Sequence, residues 1–205
     1  MTDRARWEER HRASVWFEPG APSAWVLART AEIPRGALVA ELAAGPGRHA
    51  VAMARAGLRV LALDFSMPAM QAAARAAAGL DVHAIVADVH ALPLRERALD
   101  AIVCVNFLDR TLFPTLHRWL RPGGRVILET YTIRQLELPH GPRAPAHLLA
   151  AGELAALVGP LRVTAQRDEL ARDTAGERYV ASVVAVNAED GRGESPNRGG
   201  PKEVP

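Results

Sequence analysis

Glu41, Gly45, Gly47 and Asp64 are spaced so that two carboxylates and two glycines can converge on one bound group. Residues 38–50 read LVAELAAGPGRHA: an apolar run with an acid inside it, two glycines flanking Pro46, then a helix start. This is the pattern of a parallel strand ending in a tight turn, where backbone N–H groups and the following helix dipole face a ligand. Glycine at 45 and 47 opens backbone angles closed to other residues and lets a ligand come close to the main chain, while Ala50 suits close packing of helix on strand. Glycines alone describe any strand-to-helix turn; the carboxylates narrow the chemistry. Asp64 closes the next apolar run, 19 residues beyond Gly45, where a doubly wound fold sets an acid to accept both hydroxyls of a ribose. Glu41 stands four residues ahead of Gly45, where a dinucleotide site is apolar because a buried anion would repel a pyrophosphate. Together they suit a ribose joined to a cationic group and no phosphate.

Positioning those residues requires alternating strands and helices, and the hydrophobic pattern supplies them. Residues 3–12, with Trp7, Glu8, Glu9, Arg10 and His11, suit a short helix, and residues 22–31 a second. Pro34 and Gly36 mark the entry to strand one; residues 48–57 are helical in spacing and Gly57 is a C-cap. Strand two ends at Asp64, and Ser66 caps a helix through residues 70–78 with Pro68 in its first turn. Residues 82–86 form a third strand, ending in Ala87, Asp88 and Val89. The run LDAIVCV at 99–105 reads as a central parallel strand buried on both faces, emerging at Asn106, Phe107, Leu108, Asp109 and Arg110. A helix over 112–120, a turn at Arg121, Pro122, Gly123 and Gly124, and a strand at 125–129 follow. Residues 132–145 carry Pro139, Pro142 and Pro145 without a period, the mark of a functional or disordered loop. A helix over 151–158, a strand over 161–166, a polar bend at 168–177 and a last strand over 179–187 complete the pattern, with the closing pair reading as a hairpin. Residues 188–205, rich in Gly, Pro, Glu and Arg, read as a disordered tail.

Composition excludes several classes of function. A net charge of +2 is too small to argue for nucleic acid, and 49% hydrophobic with 23% charged residues is ordinary for a globular protein. The single cysteine, Cys104, cannot form an internal disulfide, which fits a reducing cytoplasm. No stretch approaches the roughly 20 apolar residues of a membrane helix, and the polar N-terminus has no signal-peptide core, so no membrane partner is expected.

The segment E-x-x-x-G-x-G at residues 41–47 resembles motif I of the class I methyltransferases that use S-adenosylmethionine. The likeness continues through ADVHALPL at 87–94 and LRPGGRVILETY at 120–131, and it spans roughly residues 7–187. It implies an α/β fold: one Rossmann-like, doubly wound, seven-stranded, mostly parallel sheet over residues 1–187 with a C-terminal antiparallel hairpin. It further implies that S-adenosylmethionine is the cofactor. Glu41 would hold the methionine amino group directly or through water, Gly45 and Gly47 the methionine portion, and Asp64 the ribose. Phe65, Asp88 and Val89 would border the adenine, with Asn106 a further cofactor contact. WEERH at 7–11 is similar to the W/Y-x-x-R-Y opening of an aromatic helix that folds over the cofactor, which makes residues 1–33 a cap or lid; a plain amphipathic cap is the other reading.

The acceptor side carries less information. NFLDR at 106–110 lacks the Asp/Asn-Pro-Pro-Tyr/Phe motif of DNA and protein N-methyltransferases, and no aromatic-basic stripe suggests RNA. Residues 107–135 and 141–154 resemble a bacterial subgroup allied to the tellurite-resistance and thiopurine type methyltransferases, which implies a small-molecule substrate, anionic or a soft nucleophile. Asp109 stands where that group often has a histidine, so no histidine base carries over. Methyl transfer is an in-line displacement dominated by positioning, and a base is needed only for a protonated nucleophile. Arg110, Tyr131 and Arg143 are the candidates to face the substrate, the two arginines as a bidentate anion clamp. Each arginine reads equally as a surface residue or the partner of a nearby acid. His11, His49 and His140 are weaker base candidates, and no Cys/His cluster has metal spacing. An NAD(P)-dependent oxidoreductase and a non-catalytic module that only binds S-adenosylmethionine are the alternatives.

Overall fold

The computed structural model describes residues 21–92, 94–173 and 176–188. The expected helix over 3–12, its WEERH stretch and all but the first residue of the tail lie outside the described residues. Helix α1 (Ala24–Thr30) starts at Ser23, whose hydroxyl accepts the Val26 N–H. Strand β1 (Leu38–Leu42) leads through the glycine turn to α2 (Arg48–Arg55), then β2 (Arg59–Asp64), α3 (Met67–Ala76) and β3 (Val82–Val86). Strand β4 (Leu99–Val105), a 3₁₀ helix at Phe113–Trp119 and β5 (Leu120–Tyr131) follow. Two short 3₁₀ turns, Ile133–Glu137 and Pro145–His147, precede α4 (Glu153–Leu157), β6 (Arg162–Asp173) and β7 (Gly176–Val186).

The seven strands form one sheet in the order β3-β2-β1-β4-β5-β7-β6. All pairs from β3 to β5 are parallel, while β7 runs antiparallel to both β5 and β6. This is the Rossmann-like methyltransferase arrangement, in a single domain. The chain moves outward from β1 to β3 and returns across the sheet to β4, which opens a crevice beyond the C-terminal ends of β1 and β4. Side chains alternate across the strands and build two cores. One face packs Val39, Val103 and Ile127 against Val26 of α1, Met53 of α2 and Met70 of α3. The other packs Leu42, Leu63 and Leu128 against Phe113, Leu116 and Leu154.

Three expectations are corrected here. Residues 112–120 do not form an α-helix but the 3₁₀ helix, in which Pro114 occupies the first turn and Thr115 bonds back three residues to Leu112 through both its N–H and its hydroxyl. The Pro-Gly-Gly turn lies inside a longer β5: Leu99 pairs Leu120 but Ala101 pairs Arg125, so residues 121–124 bulge opposite Asp100. Gly123 takes φ +75° there, and the bulge is closed by Asn187, which exchanges backbone bonds with Gly123 and Gly124. The polar bend at 168–177 is also replaced. Asp168 to Asp173 and Gly176 to Tyr179 are paired strand residues, with Asp173 opposite Gly176. Their charges mark a two-sided ribbon at the sheet edge, where charge discourages pairing with another chain.

Candidate functional site

The turn after β1 owes its shape to two glycines that act differently. Gly47 caps α2 at φ +84°, and a Cβ there would stand 2.9 Å from the Ala73 Cβ of α3, so close helix packing requires glycine. Gly45, at φ +54°, would point a Cβ into open space with nothing within 4 Å. Its main chain therefore faces room for a ligand. Ala43 also takes a left-handed φ of +52°, which turns the chain off the sheet.

Asp64 ends β2 at 5% exposure, and its two oxygens are held by different neighbours. The Gly45 N–H donates to Oδ2 and the Ser66 N–H to Oδ1, both at 2.9 Å. A carboxylate can accept about four hydrogen bonds, so each oxygen keeps a lone pair for a hydroxyl. Phe65 beside it is half-buried. Across β3, Asp88 is exposed and accepts the His90 N–H at 2.9 Å, while Val89 packs partly into the core.

Glu41 is 2% exposed and lies on the face covered by α1 and α2. Its Oε1 is 3.2 Å from Nδ1 of His49, in the first turn of α2, and the Ser23 N–H donates to His49 Nε2 at 3.0 Å. A backbone N–H can only donate, so Nε2 accepts and the ring proton sits on Nδ1, directed at Glu41. Glu41 Oε2 is buried without a hydrogen-bond partner among the described residues. His49 was legible only as a candidate base; its link to Ser23 crosses 26 residues and carries no sequence signal.

Asn106 leaves β4 at φ +60°, and its Oδ1 accepts from Arg178 Nη1 at 3.2 Å. The next turn is fixed by Asp109, which accepts the N–H groups of Thr111 and Leu112 and the Thr111 hydroxyl. Asp109 Oδ2 also meets His90 Nε2 at 2.9 Å, tying the β3 exit to the β4 exit. Burial works against its charge, but these hydrogen bonds and His90 outweigh it and hold its carboxyl below the ordinary carboxylate range.

The three candidates for the substrate side are not brought together as a clamp. Arg110 makes a bidentate pair with Glu153 of α4 and also donates to the carbonyls of Ala146 and Leu148. Arg143 donates to the carbonyls of Leu136, at 3.1 Å, and Leu138, within its own loop. Both guanidinium groups thus fasten the segment at 132–152, which is ordered: Gln135 is fully buried, bonding the His140 carbonyl and the Tyr179 N–H. Tyr131 is half-buried at the end of β5, its carbonyl accepting the Leu149 N–H. Glu129, two residues earlier, is fully buried and is a group that sequence reasoning missed, because an acid inside an apolar strand announces no partner. His140 bonds the Glu177 carbonyl through Nε2. No group of side chains that could hold a metal ion occurs among the described residues, nor any helix long and apolar enough to cross a membrane.

These residues fit S-adenosylmethionine on their own chemistry: a buried carboxylate oxygen lacking a partner for an ammonium, a carboxylate with lone pairs for a ribose, and an open glycine backbone between them. Residues 39–124, which hold most of this site, match the methyltransferase domain family. Fold and match together make this part of the chain similar to the methyltransferase domains that use S-adenosylmethionine. The chain is 31% identical over 125 residues to a demethylmenaquinone methyltransferase of Clavibacter sepedonicus, covering 57% of this chain and 51% of that protein. It is 36% identical over 102 residues to a malonyl-[acyl-carrier protein] O-methyltransferase of Pseudescherichia vulneris, covering 47% of this chain and 39% of that protein. The chain thus spans about half or less of the length of these curated relatives. Among solved structures, a SAM-dependent methyltransferase of Methanosarcina mazei superposes with a TM-score of 0.68 at 17% identity, over 83% of this chain and all of that one. Geranyl diphosphate C-methyltransferase of Streptomyces coelicolor, solved with S-adenosyl-L-homocysteine, gives 0.62 at 18% identity over 80% of this chain and 76% of that one. At these identities the likeness is one of fold.

Proposed function

We propose that this protein transfers the methyl group of S-adenosylmethionine to a small-molecule acceptor. The observation that carries the reading is Asp64, held by the N–H groups of Gly45 and Ser66 with its remaining lone pairs beside the open face of Gly45. When bound, the cofactor supplies an electrophilic methyl on a sulfonium. The chain's residues orient it: Asp64 accepts the ribose hydroxyls, Glu41 Oε2 accepts from the methionine ammonium, and Gly45 and Gly47 admit the methionine portion. Phe65, Asp88 and Val89 border the adenine, and Asn106 lies beside the cofactor at the β4 exit.

The family match ends at residue 124, ahead of most of the acceptor side, so the acceptor is best read from this chain's own later residues. An anionic acceptor clamped by Arg110 and Arg143 would require both to give up the bonds they make to the 132–152 segment. Their geometry favours a positioning role, with Tyr131 as a wall. A soft nucleophile of the kind taken by tellurite- and thiopurine-type enzymes would need no base. The buried Glu41 and the antiparallel β7 weigh against a nicotinamide dinucleotide.

Calorimetry with S-adenosylhomocysteine tests the cofactor assignment. Asp64→Ala should weaken binding tenfold or more, about 1.4 kcal/mol, and an unchanged affinity rejects the ribose role. Turnover over a panel of small acceptors separates an enzyme from a module that only binds the cofactor.

A further inference from the structure

Glu41 and Glu129 form a matched pair on the sheet. They are 2% and 0% exposed, and each has one oxygen bonded and one, Glu41 Oε2 and Glu129 Oε1, without a hydrogen-bond partner among the described residues. Burying a carboxylate oxygen unsatisfied is costly unless something else completes it. On the reading above, the cofactor ammonium completes Glu41. Glu129 Oε1 has only the Arg178 guanidinium near it, at 3.9 Å.

The register fixes where Glu129 lies. Glu41 pairs Val103, Val103 pairs Ile127, and Glu129 pairs Val105, so Glu129 is two strands across from Glu41 and two residues nearer the C-terminal edge. Val39, Val103, Val105 and Ile127 share one core, so by alternation both carboxylates stand on that same face. With strands about 4.8 Å apart and a rise of about 3.3 Å per residue, Glu129 is displaced by about 10 Å across the sheet and about 7 Å toward its edge. That offset puts it beside the β4 exit, on the C-terminal side of Glu41.

Its orientation is set by its partners. Oε2 accepts from Arg167 Nη2 at 2.8 Å and from the Ser182 hydroxyl at 2.9 Å. Arg178 Nη2 is 3.9 Å from Oε1, beyond a hydrogen bond, while Nη1 of the same guanidinium donates to Asn106 Oδ1. Oε1 is therefore the buried oxygen on the side of Arg178, whose guanidinium links it to Asn106 at the β4 exit.

We propose that Glu129 binds the methyl acceptor, taking a hydrogen bond on Oε1 from an O–H or N–H of that molecule. This rests on the methyl-transfer reading and names its substrate class: a small hydroxyl or amine compound, in preference to an anion that brings no hydrogen. In the transfer, the lone pair of the acceptor oxygen or nitrogen forms the bond to the methyl carbon. The carbon–sulfur bond breaks with its pair retained by sulfur, and the acceptor proton passes to Oε1. Arg167 and Ser182 fix the carboxylate from the other side.

Ligand-detected NMR with phenol, aniline and their methylated isosteres anisole and N,N-dimethylaniline tests this, on protein free and loaded with S-adenosylhomocysteine. Glu129→Gln keeps an oxygen for Arg167 and Ser182 and places an NH₂ where Oε1 stood. The wild-type protein should bind phenol and aniline at least fivefold tighter than their isosteres, and Glu129→Gln should abolish or reverse that order. Affinity for S-adenosylhomocysteine should stay within twofold in both. Where Glu129→Gln does not fold, Glu129→Asp, which withdraws the oxygens by one methylene, should reduce the preference below twofold. Equal binding of donors and isosteres, a preference that survives in the variants, or no fragment binding overturns the proposal. Failure of S-adenosylhomocysteine to bind wild-type protein overturns the methyl-transfer reading instead, and the fragment series on free protein still reads Glu129.

Discussion

His49 holds Glu41 from above: the two meet at 3.2 Å, both almost wholly buried, and the imidazole is in turn held by the Ser23 N–H. The carboxylate we propose for the cofactor ammonium is therefore aimed by a residue whose other ring nitrogen accepts from the start of α1. Asparagine can mimic Nδ1 and glutamine Nε2, so the two halves separate. His49→Asn should keep a donor on Glu41 and bind S-adenosylhomocysteine within about threefold of wild type. His49→Gln should keep an acceptor for Ser23 but leave Glu41 unsupported, costing about 1–3 kcal/mol, or roughly five- to hundredfold in affinity. Amide exchange at Ser23 should show the opposite order, faster in His49→Asn. Equal affinity losses in both would dismiss the division.

The glycines of the turn should fail in different ways. Gly47→Ala meets both a left-handed φ and the Ala73 Cβ at 2.9 Å, so it should lower the melting midpoint by several degrees. Gly45→Ala carries only the backbone strain, about 1–2 kcal/mol, but its methyl enters the open space where we propose the cofactor binds. Its signature is a tenfold or greater loss of S-adenosylhomocysteine affinity with a smaller loss of stability, read by calorimetry and thermal melting on the same samples.

Acid should loosen the 132–152 segment before the sheet. The Arg110 hydrogen bond holds the Glu153 carboxyl below its ordinary value, against partial burial and with help from the Ala150 N–H. A depressed carboxyl lends stability that is present above the unfolded value of about 4.3 and disappears as pH falls through the lower folded value. Asp109 adds to the same window in the same direction. Amide exchange at Leu148 and Leu149 should therefore accelerate below about pH 4. Glu153→Gln should show fast exchange there already at neutral pH, and a segment equally protected in that variant would count against the Arg110 anchor.

Cys104 should be silent. It is 1% exposed, and burial, reinforced by the charges of Glu41 and Asp109, drives its thiol far above the usual range. A disulfide reagent at pH 8 should label it only at the rate of global unfolding, with no protection added by S-adenosylhomocysteine beyond the shift in stability.

Much of the fold was readable because a central parallel strand buried on both faces leaves an apolar run, as 99–105 does for β4, while 82–86 coincides with the half-exposed edge strand β3. Reading failed where tertiary pairing overrides local composition. Arg121 to Gly124 look like a turn and are a bulge closed by Asn187, and the charged ribbon at 168–177 is strand because β6 and β7 pair with each other there. At the site, glycine spacing and Asp64 pointed to local geometry that a sequence can encode. The bonds His49 makes to Ser23, Arg110 to Glu153 and Arg167 to Glu129 join residues 26, 43 and 38 apart, and only the folded sheet brings them together.

The segment from 132 to 152 is tied at one end to the β4 exit through Arg110 and at the other to the terminal hairpin through Gln135 and Tyr179. Because it follows residue 124, it can be rewritten by insertion or recombination without disturbing the glycine turn or Asp64. A chimera that grafts the last third of a similar methyltransferase onto residues 1–124 should therefore keep its affinity for S-adenosylhomocysteine while, on the proposed function, changing which molecules it methylates.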